Sequence, residues 1–372
     1  MEDVLRLTKQ MAVFSFANHG PNGRSRARGL GLPLCGVTGA MNAITDVTGV
    51  SVGYTTLIDA ERPIRTGVTA ILPREKEDLL NPVWAGSFSM NGNGEMTGLH
   101  WIKEAGWFTG PITITNTLSL GVAHHATARW MANRFSSKIG ESIWMLPVAA
   151  ETYDGYLNEI NGFHVTEAHV LNAINMAVSG PIAEGSVGGG TGMIAYEFKG
   201  GTGTSSRLVK IGESTHTIGA LVQANHGLRP WLMVCGKPVG KVLNDNSIMT
   251  HERGSIIAIV ATDAPLLPTQ LDRLARRAAI GIGRGGTPSG NNSGDIFLAF
   301  STANDQGQLP EPPKLILSAI SNDDLDPIFM AVVEAVDEAI LNAMLASDTM
   351  TGKNGRTVHG IDHQRLKACF EL

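Results

Sequence analysis

The chain has 372 residues, 43% hydrophobic and 17% charged, with 29 basic and 34 acidic side chains for a net charge of −5. This is enough apolar material for a sizeable core, which excludes general disorder, and the absence of a basic run gives no electrostatic footprint for nucleic acid or an anionic membrane. No apolar stretch reaches the roughly 18 residues of a membrane span and no leader-like segment is evident, so a cytoplasmic protein is expected.

In chain order, the first thirty or so residues are loosely patterned and read as an extended arm. Strand-like runs follow at Val50–Thr55 and Val68–Leu72, and Pro111–Asn116 has β-branched alternation. Helical patterns cover Gly121–Phe135 and Thr166–Val178. Thr215–Gln223 and Leu232–Cys235 read as strands. Ile256–Ala261, IIAIVA, is apolar on both faces, as at the centre of a covered sheet. Next comes an amphipathic helix from Pro268 to Ile280, with Leu271, Leu274, Ala275 and Ala278 on one face and Gly281 as its stop. Ile296–Phe300 is a further buried strand. The last long helix opens at Asp326–Pro327; it is expected to bury Ile328, Val332, Val336 and Ile340 and to expose Glu334, Asp337 and Glu338. Short strands and helices without a regular βαβ rhythm argue for α+β layers, and no linker divides the chain.

The 44 glycines gather in knots at Gly92–Gly98, Gly185–Gly192, Gly200–Gly203 and Gly281–Gly294, which read as loops around a pocket. Gly281–Gly286 spells GxGxxG but follows a helix, whereas a dinucleotide fingerprint follows a strand. His124 and His125 are adjacent and face different sides of a helix, which does not suit a metal. Cys35, Cys235 and Cys369 are far apart and read as isolated thiols. Neither a metal nor an organic cofactor is implied.

Two segments stand before buried strands. In His251-Glu-Arg-Gly254-Ser255, Gly-Ser alone reads as a turn, but a serine at the entrance of a central strand is held rigidly. A preceding glycine can take strained geometry that helps the hydroxyl attack the Gly254 carbonyl. Cleavage there would free a Ser255 α-amine, a base near neutral pH beside its own hydroxyl. In Asn291-Asn-Ser293-Gly-Asp295, Ser293 and Asp295 lie i, i+2 on a strand edge, where a carboxylate can polarise a serine or hold an ammonium. Glu151-Thr-Tyr153-Asp-Gly155 and Gln223-Ala-Asn225-His-Gly227 each close a strand with polar groups beside a glycine. Glu151 suits a substrate amine, and Tyr153 and Asn225 suit an oxyanion.

Taken together, these segments resemble one family. AITDVTGVSVGYTT (Ala43–Thr56), NGNGEMTG (Asn91–Gly98), ITNTLSLG (Ile114–Gly121), ETYDG (Glu151–Gly155), GSVGGGTGM (Gly185–Met193), KGGTGTSSR (Lys199–Arg207), VQANHG (Val222–Gly227), GSII (Gly254–Ile257), ATDAPLLP (Ala261–Pro268) and SGDIFLAFSTAN (Ser293–Asn304) run in order. They resemble the β-peptidyl aminopeptidases and the L-aminopeptidase/D-esterase-amidases, which cleave themselves into two chains. The resemblance implies a four-layer αββα sandwich, two mixed sheets between helix layers, in one catalytic domain over residues 1–372. It implies self-cleavage into 1–254 and 255–372 and assembly of four processed protomers. It makes Ser255 the nucleophile, with Ser293 and Asp295 assisting; some relatives carry Glu at the latter position. Asn225 and Tyr153 would stabilise the oxyanion, and Glu151 would hold the free amino group of a small peptide, amide or ester substrate. Tyr153 points to the L-aminopeptidase/D-esterase branch. Two alternatives stand beside this: an acyltransferase of the ornithine-acetyltransferase type, whose nucleophile is Thr where this chain has Ser255, and a non-enzymatic binding protein on the same fold.

Overall fold

The computed structural model describes residues 15–141, 143–307 and 315–372. Residues 1–14 of the expected arm lie outside them. From Ser15 to Asn42 the chain is turns and coil folded onto the body, not an extended arm: buried Arg26 donates to the Asn42 carbonyl at 2.9 Å and pairs with Glu184 at 2.9 Å.

The regular elements are β1 (Ser51–Ile58), β2 (Arg65–Leu72), β3 (Val83–Gly92), α1 (Leu99–Ala105), β4 (Trp107–Phe108), β5 (Ile112–Asn116), α2 (Leu120–Arg134), β6 (Val148–Thr152) and α3 (Glu167–Asn175). They continue with β7 (Ile194–Ala195), β8 (Phe198–Lys199), β9 (Gly201–Ile211), β10 (Ser214–Asn225), α4 (Val239–Val242), β11 (Ser255–Thr262), α5 (Pro268–Arg284), β12 (Gly294–Ser301), α6 (Asp326–Leu345) and α7 (His363–Ala368). A four-stranded sheet has the order β1-β2-β5-β6, and a six-stranded sheet the order β4-β3-β12-β11-β10-β9. Both are mixed, since β5–β6 and β11–β12 run parallel and their neighbours antiparallel.

The side chains of β11 show why its sequence lacks alternation. All eight of its residues are buried. Ile257 and Ile259 meet Ile112, Ile114 and Val148 of the smaller sheet. On the opposite face, Ile256, Ala258 and Val260 pack with Leu271 and Leu274 of α5 and Val332 and Val336 of α6. A third cluster closes the far side, where Val68 and Ala70 of β2 meet Ala123 and Trp130 of α2 and Val170 of α3. Helices, sheet, sheet and helices therefore stack as the four layers expected. Each large apolar side chain so buried contributes about 1.5–3 kcal/mol.

Glycine sets the helix–sheet spacing. A Cβ on Gly203 of β9 would lie 2.0 Å from the Ala339 carbonyl of α6, and one on Gly86 of β3 would lie 2.1 Å from the Asp272 nitrogen of α5. Gly203→Ala should cost about 1–3 kcal/mol through forced separation of β9 and α6, read as a lower urea midpoint at unchanged m. A wild-type midpoint would contradict the close packing.

Three local readings need correction. Leu232–Cys235 is no strand: a single bridge joins Val234 to Lys237 across a tight turn, with Cys235 and Gly236 at φ of 46° and 79°. Gly281 does not end its helix, which continues to Arg284; its missing side chain instead lets α5 approach α6, since a Cβ would lie 2.8 Å from the Val333 carbonyl. Of the three carboxylates expected to face water, Glu334 and Asp337 are only partly exposed and pair with Arg207 and Arg284, and Glu338 does not face water at all. It is fully buried, bonded by Arg207 at 2.7 Å, Arg28 at 3.0 Å and Asn42 at 2.6 Å.

Candidate active site

Strand register assembles the site. In the large sheet, β10 and β11 set Asn225 opposite Ser255, and β11 and β12 set Ser255 opposite Gly294, so Ser293 and Asp295 flank the serine's neighbour. In the small sheet, parallel pairing of Thr115 with Glu151 brings the ends of β5 and β6 together, with Thr117 and Tyr153 just beyond. The two sheet edges meet at a cavity of about 490 Å³ whose wall includes Thr117, Glu151, Tyr153, Arg253, Gly254 and Ser255. The glycine-rich turn at Asn93 and Gly94 closes one side.

Ser255 is 4% exposed. Its hydroxyl donates to the Gly254 carbonyl oxygen at 2.7 Å, and the Gly294 N–H donates to its Oγ at 3.3 Å. Gly254 is required by crowding, not by left-handed backbone: it is absent from the positive-φ glycines, and a Cβ there would sit 1.9 Å from the Asn225 carbonyl oxygen. Behind the serine, the Ser293 hydroxyl donates to Asp295 Oδ1 at 2.6 Å, as does the Ile256 N–H at 3.2 Å. The Ser289 hydroxyl donates to Asp295 Oδ2. Ser293 and Asp295 are fully buried. The carboxylate thus orients Ser293 and ties β12 to β11.

Asn225 is 3% exposed and holds two backbone groups. Its Oδ1 accepts from the Ile194 N–H at 2.8 Å, which fixes the amide so that Nδ2 is on the other side, donating to the Tyr153 carbonyl at 3.0 Å. The Tyr153 side chain is half-exposed at the cavity wall. Glu151 is buried; its Oε1 accepts from the Glu95 N–H at 3.0 Å and its Oε2 from the Thr117 hydroxyl. Burial raises its carboxyl above the usual value, and the Thr117 and Glu95 hydrogen bonds oppose that. Among the described residues, Glu151 is in no ion pair. A buried carboxylate that opens on a cavity and has no ion-pair partner, although Arg253 shares the wall, is a ready acceptor for a ligand cation.

Three supporting residues escaped the sequence reading. Thr117 orients Glu151, and Ser289 completes the shell of Asp295. Glu252 fastens the segment before the Gly254–Ser255 bond: its Oε1 accepts from the Gly227 N–H at 2.5 Å and its Oε2 from the Gly290 N–H at 2.7 Å. Burial raises its carboxyl, and the same two N–H groups pull the other way. Its place three residues before Ser255 was visible; its backbone partners were not. No group of three or more His, Cys, Asp or Glu among the described residues could hold a metal ion, and no helix among them is long and apolar enough to cross a membrane.

Two mixed sheets between helices, with a buried serine opening a central strand behind a crowded glycine, define the N-terminal-nucleophile hydrolase fold. Comparison with known proteins agrees. Peptidase family S58 matches residues 42–358. The β-peptidyl aminopeptidase BapA of Sphingosinicella microcystinivorans is 50% identical over 369 residues, spanning 93% of this chain and 92% of the relative. The solved L-aminopeptidase D-Ala-esterase/amidase of Ochrobactrum anthropi, described as a prototype for the serine aminopeptidases, superposes with a TM-score of 0.89 at 54% identity, covering 93% of this chain and 98% of that one. A Burkholderia sp. β-aminopeptidase superposes with a TM-score of 0.87 at 45% identity, with the same coverage. The chain belongs to peptidase family S58. It is a serine hydrolase of the N-terminal-nucleophile class, in a family of aminopeptidases.

Proposed function

We propose that the chain cuts its own Gly254–Ser255 bond and then works as an aminopeptidase, amidase and esterase that releases small N-terminal residues through an acyl-enzyme on Ser255. The observation that carries this reading is the Ser255 hydroxyl, 2.7 Å from the oxygen of the carbonyl it would attack, in the same cavity as the Glu151 carboxylate, which forms no ion pair among the described residues.

In the first reaction the Ser255 oxygen adds to the Gly254 carbonyl carbon. The C–N bond breaks, the Ser255 nitrogen takes up the proton, and an ester joins Gly254 to Oγ. Water hydrolyses the ester, leaving a carboxylate on residues 1–254 and a free α-amine on residues 255–372. That amine, with a reference pKa of about 7.7–8.0, is the base for turnover. Support comes from Asp295, which accepts three hydrogen bonds, from Ser293, Ser289 and the Ile256 N–H, and orients Ser293; its contacts are with these groups and not with the Ser255 hydroxyl.

In turnover the substrate ammonium pairs with Glu151 and Ser255 attacks the first residue's carbonyl. The second Nδ2 hydrogen of Asn225, assisted by the Tyr153 hydroxyl, receives the oxyanion. The amine or alcohol leaves with a proton, and water releases the acid. The names of the relatives support β- and D-residues beside L-residues as substrates. Assembly of four processed protomers and a cytoplasmic site of action belong to the same reading.

Glu151→Gln should keep one acceptor oxygen for the Glu95 N–H and donate from its amide to the Thr117 hydroxyl, so that contact reverses direction, while the charge is lost. We expect kcat/KM on amino-acid amides to fall ~10- to 10²-fold, with N-acetylated esters unaffected. Equal loss on both substrate types would remove Glu151 from ammonium binding. Release to water, without acyl transfer to added ornithine, separates the hydrolase from the acyltransferase alternative.

A further inference from the structure

Lys199 is a buried lysine that the mechanism above does not use. It is fully buried, and among the described residues no carboxylate is in ion-pair contact with it. Its ammonium donates only to backbone carbonyls: Gly200 at 2.8 Å, Met193 at 2.9 Å and Gly190 at 3.5 Å. Burial brings it down to about 7, so removing a cation from water here is costly, and three carbonyl dipoles are what favour the charged form.

One of those carbonyls leads to the catalytic centre. Lys199 and Ile194 are cross-strand partners in the β7–β8 hairpin. The Met193 carbonyl also accepts from the Gly200 N–H at 2.9 Å. The other end of the Met193–Ile194 peptide is the Ile194 N–H, which donates to Asn225 Oδ1 at 2.8 Å. A cation on the carbonyl of a peptide pins its plane and polarises it, making its N–H a stronger donor. That donor decides which end of the Asn225 amide faces away from Ile194.

We propose that Lys199 is a positioning residue for the oxyanion donor: through the Met193–Ile194 peptide it fixes the Asn225 amide with Nδ2 presented on the Ser255 side. This rests on the reading of Asn225 as oxyanion donor. Without the ammonium, the Met193 carbonyl keeps only the Gly200 N–H, so the Met193–Ile194 peptide can tilt and carry the Asn225 amide with it, although the Tyr153 carbonyl still holds Nδ2. A misplacement of about 1 Å at a catalytic group costs on the order of 10²-fold in rate.

The test is Lys199→Met, alone and combined with Asn225→Ala, with kinetics per titrated active serine. Lys199→Met should lower kcat ~10- to 10²-fold with KM little changed, the signature of a contact made only in the transition state. In the Asn225→Ala background it should lower kcat hardly further, because the group it positions is already gone. Lys199→Gln, which keeps an N–H donor one bond shorter and uncharged, serves where the Met variant does not accumulate folded, and should retain more kcat than Met. Wild-type kcat in Lys199→Met, or equal multiplicative losses in both backgrounds, overturns the proposal. If Asn225→Ala alone keeps wild-type kcat, it is the oxyanion reading that fails.

Discussion

Ser255→Ala should accumulate as one uncut chain of 39.4 kDa with no measurable hydrolysis of amides or esters. The same oxygen is assigned to both reactions, so both disappear together. The substitution leaves the fold nearly untouched, because the hydroxyl bonds only the Gly254 carbonyl and the Gly294 N–H. Losing such a hydrogen bond costs about 1 kcal/mol. Intact mass, an ester assay and a urea titration check the three parts. A variant that is processed, or that turns over, would show that the nucleophile lies elsewhere.

Asn225→Ala should reduce kcat by about 10²–10³, the usual cost of one oxyanion donor in a water-poor site. Some of the change is structural, since the Ile194 N–H loses its side-chain acceptor; an unsatisfied buried donor costs about 1–3 kcal/mol. Asn225→Asp separates the two effects. It keeps an acceptor for Ile194 but supplies no N–H and sets negative charge beside the developing anion. Because its second oxygen would face the Tyr153 carbonyl in a buried site, we expect Asp to be no more active than Ala, with the Ile194 N–H satisfied in Asp alone. Turnover within a few-fold of wild type in either variant would remove Asn225 from the oxyanion site.

Much of this arrangement was legible in the sequence where the signal is local. IIAIVA announces a strand buried on both faces because every position is apolar, and β11 is that strand. The ordered segments from Ala43 to Asn304 carried the fold. What the sequence lacks is register. That Ser255 lies opposite both Asn225 and Gly294 follows from two strand pairings that no local pattern encodes. Glu338 was misread for a related reason: its partner Arg207 is 131 residues away, so a carboxylate at helical spacing looked solvated. Thr117, Ser289 and Glu252 were missed because a threonine opening a 3-10 turn and a serine and a glutamate in loops carry no signature of what they hold. Glu252 binds two backbone N–H groups brought together only by the fold. Gly254 is read from the sequence as a strained position, whereas in the structure it is the close carbonyl of Asn225 that excludes a side chain there.

The central claim is that Ser255 becomes an N-terminus, and it is most directly tested by intact mass and N-terminal sequencing of freshly purified wild-type protein. The account predicts two chains, the smaller beginning Ser255-Ile256-Ile257 and the larger ending at Gly254. A single chain of 39.4 kDa that hydrolyses amino-acid amides while remaining uncut would contradict it.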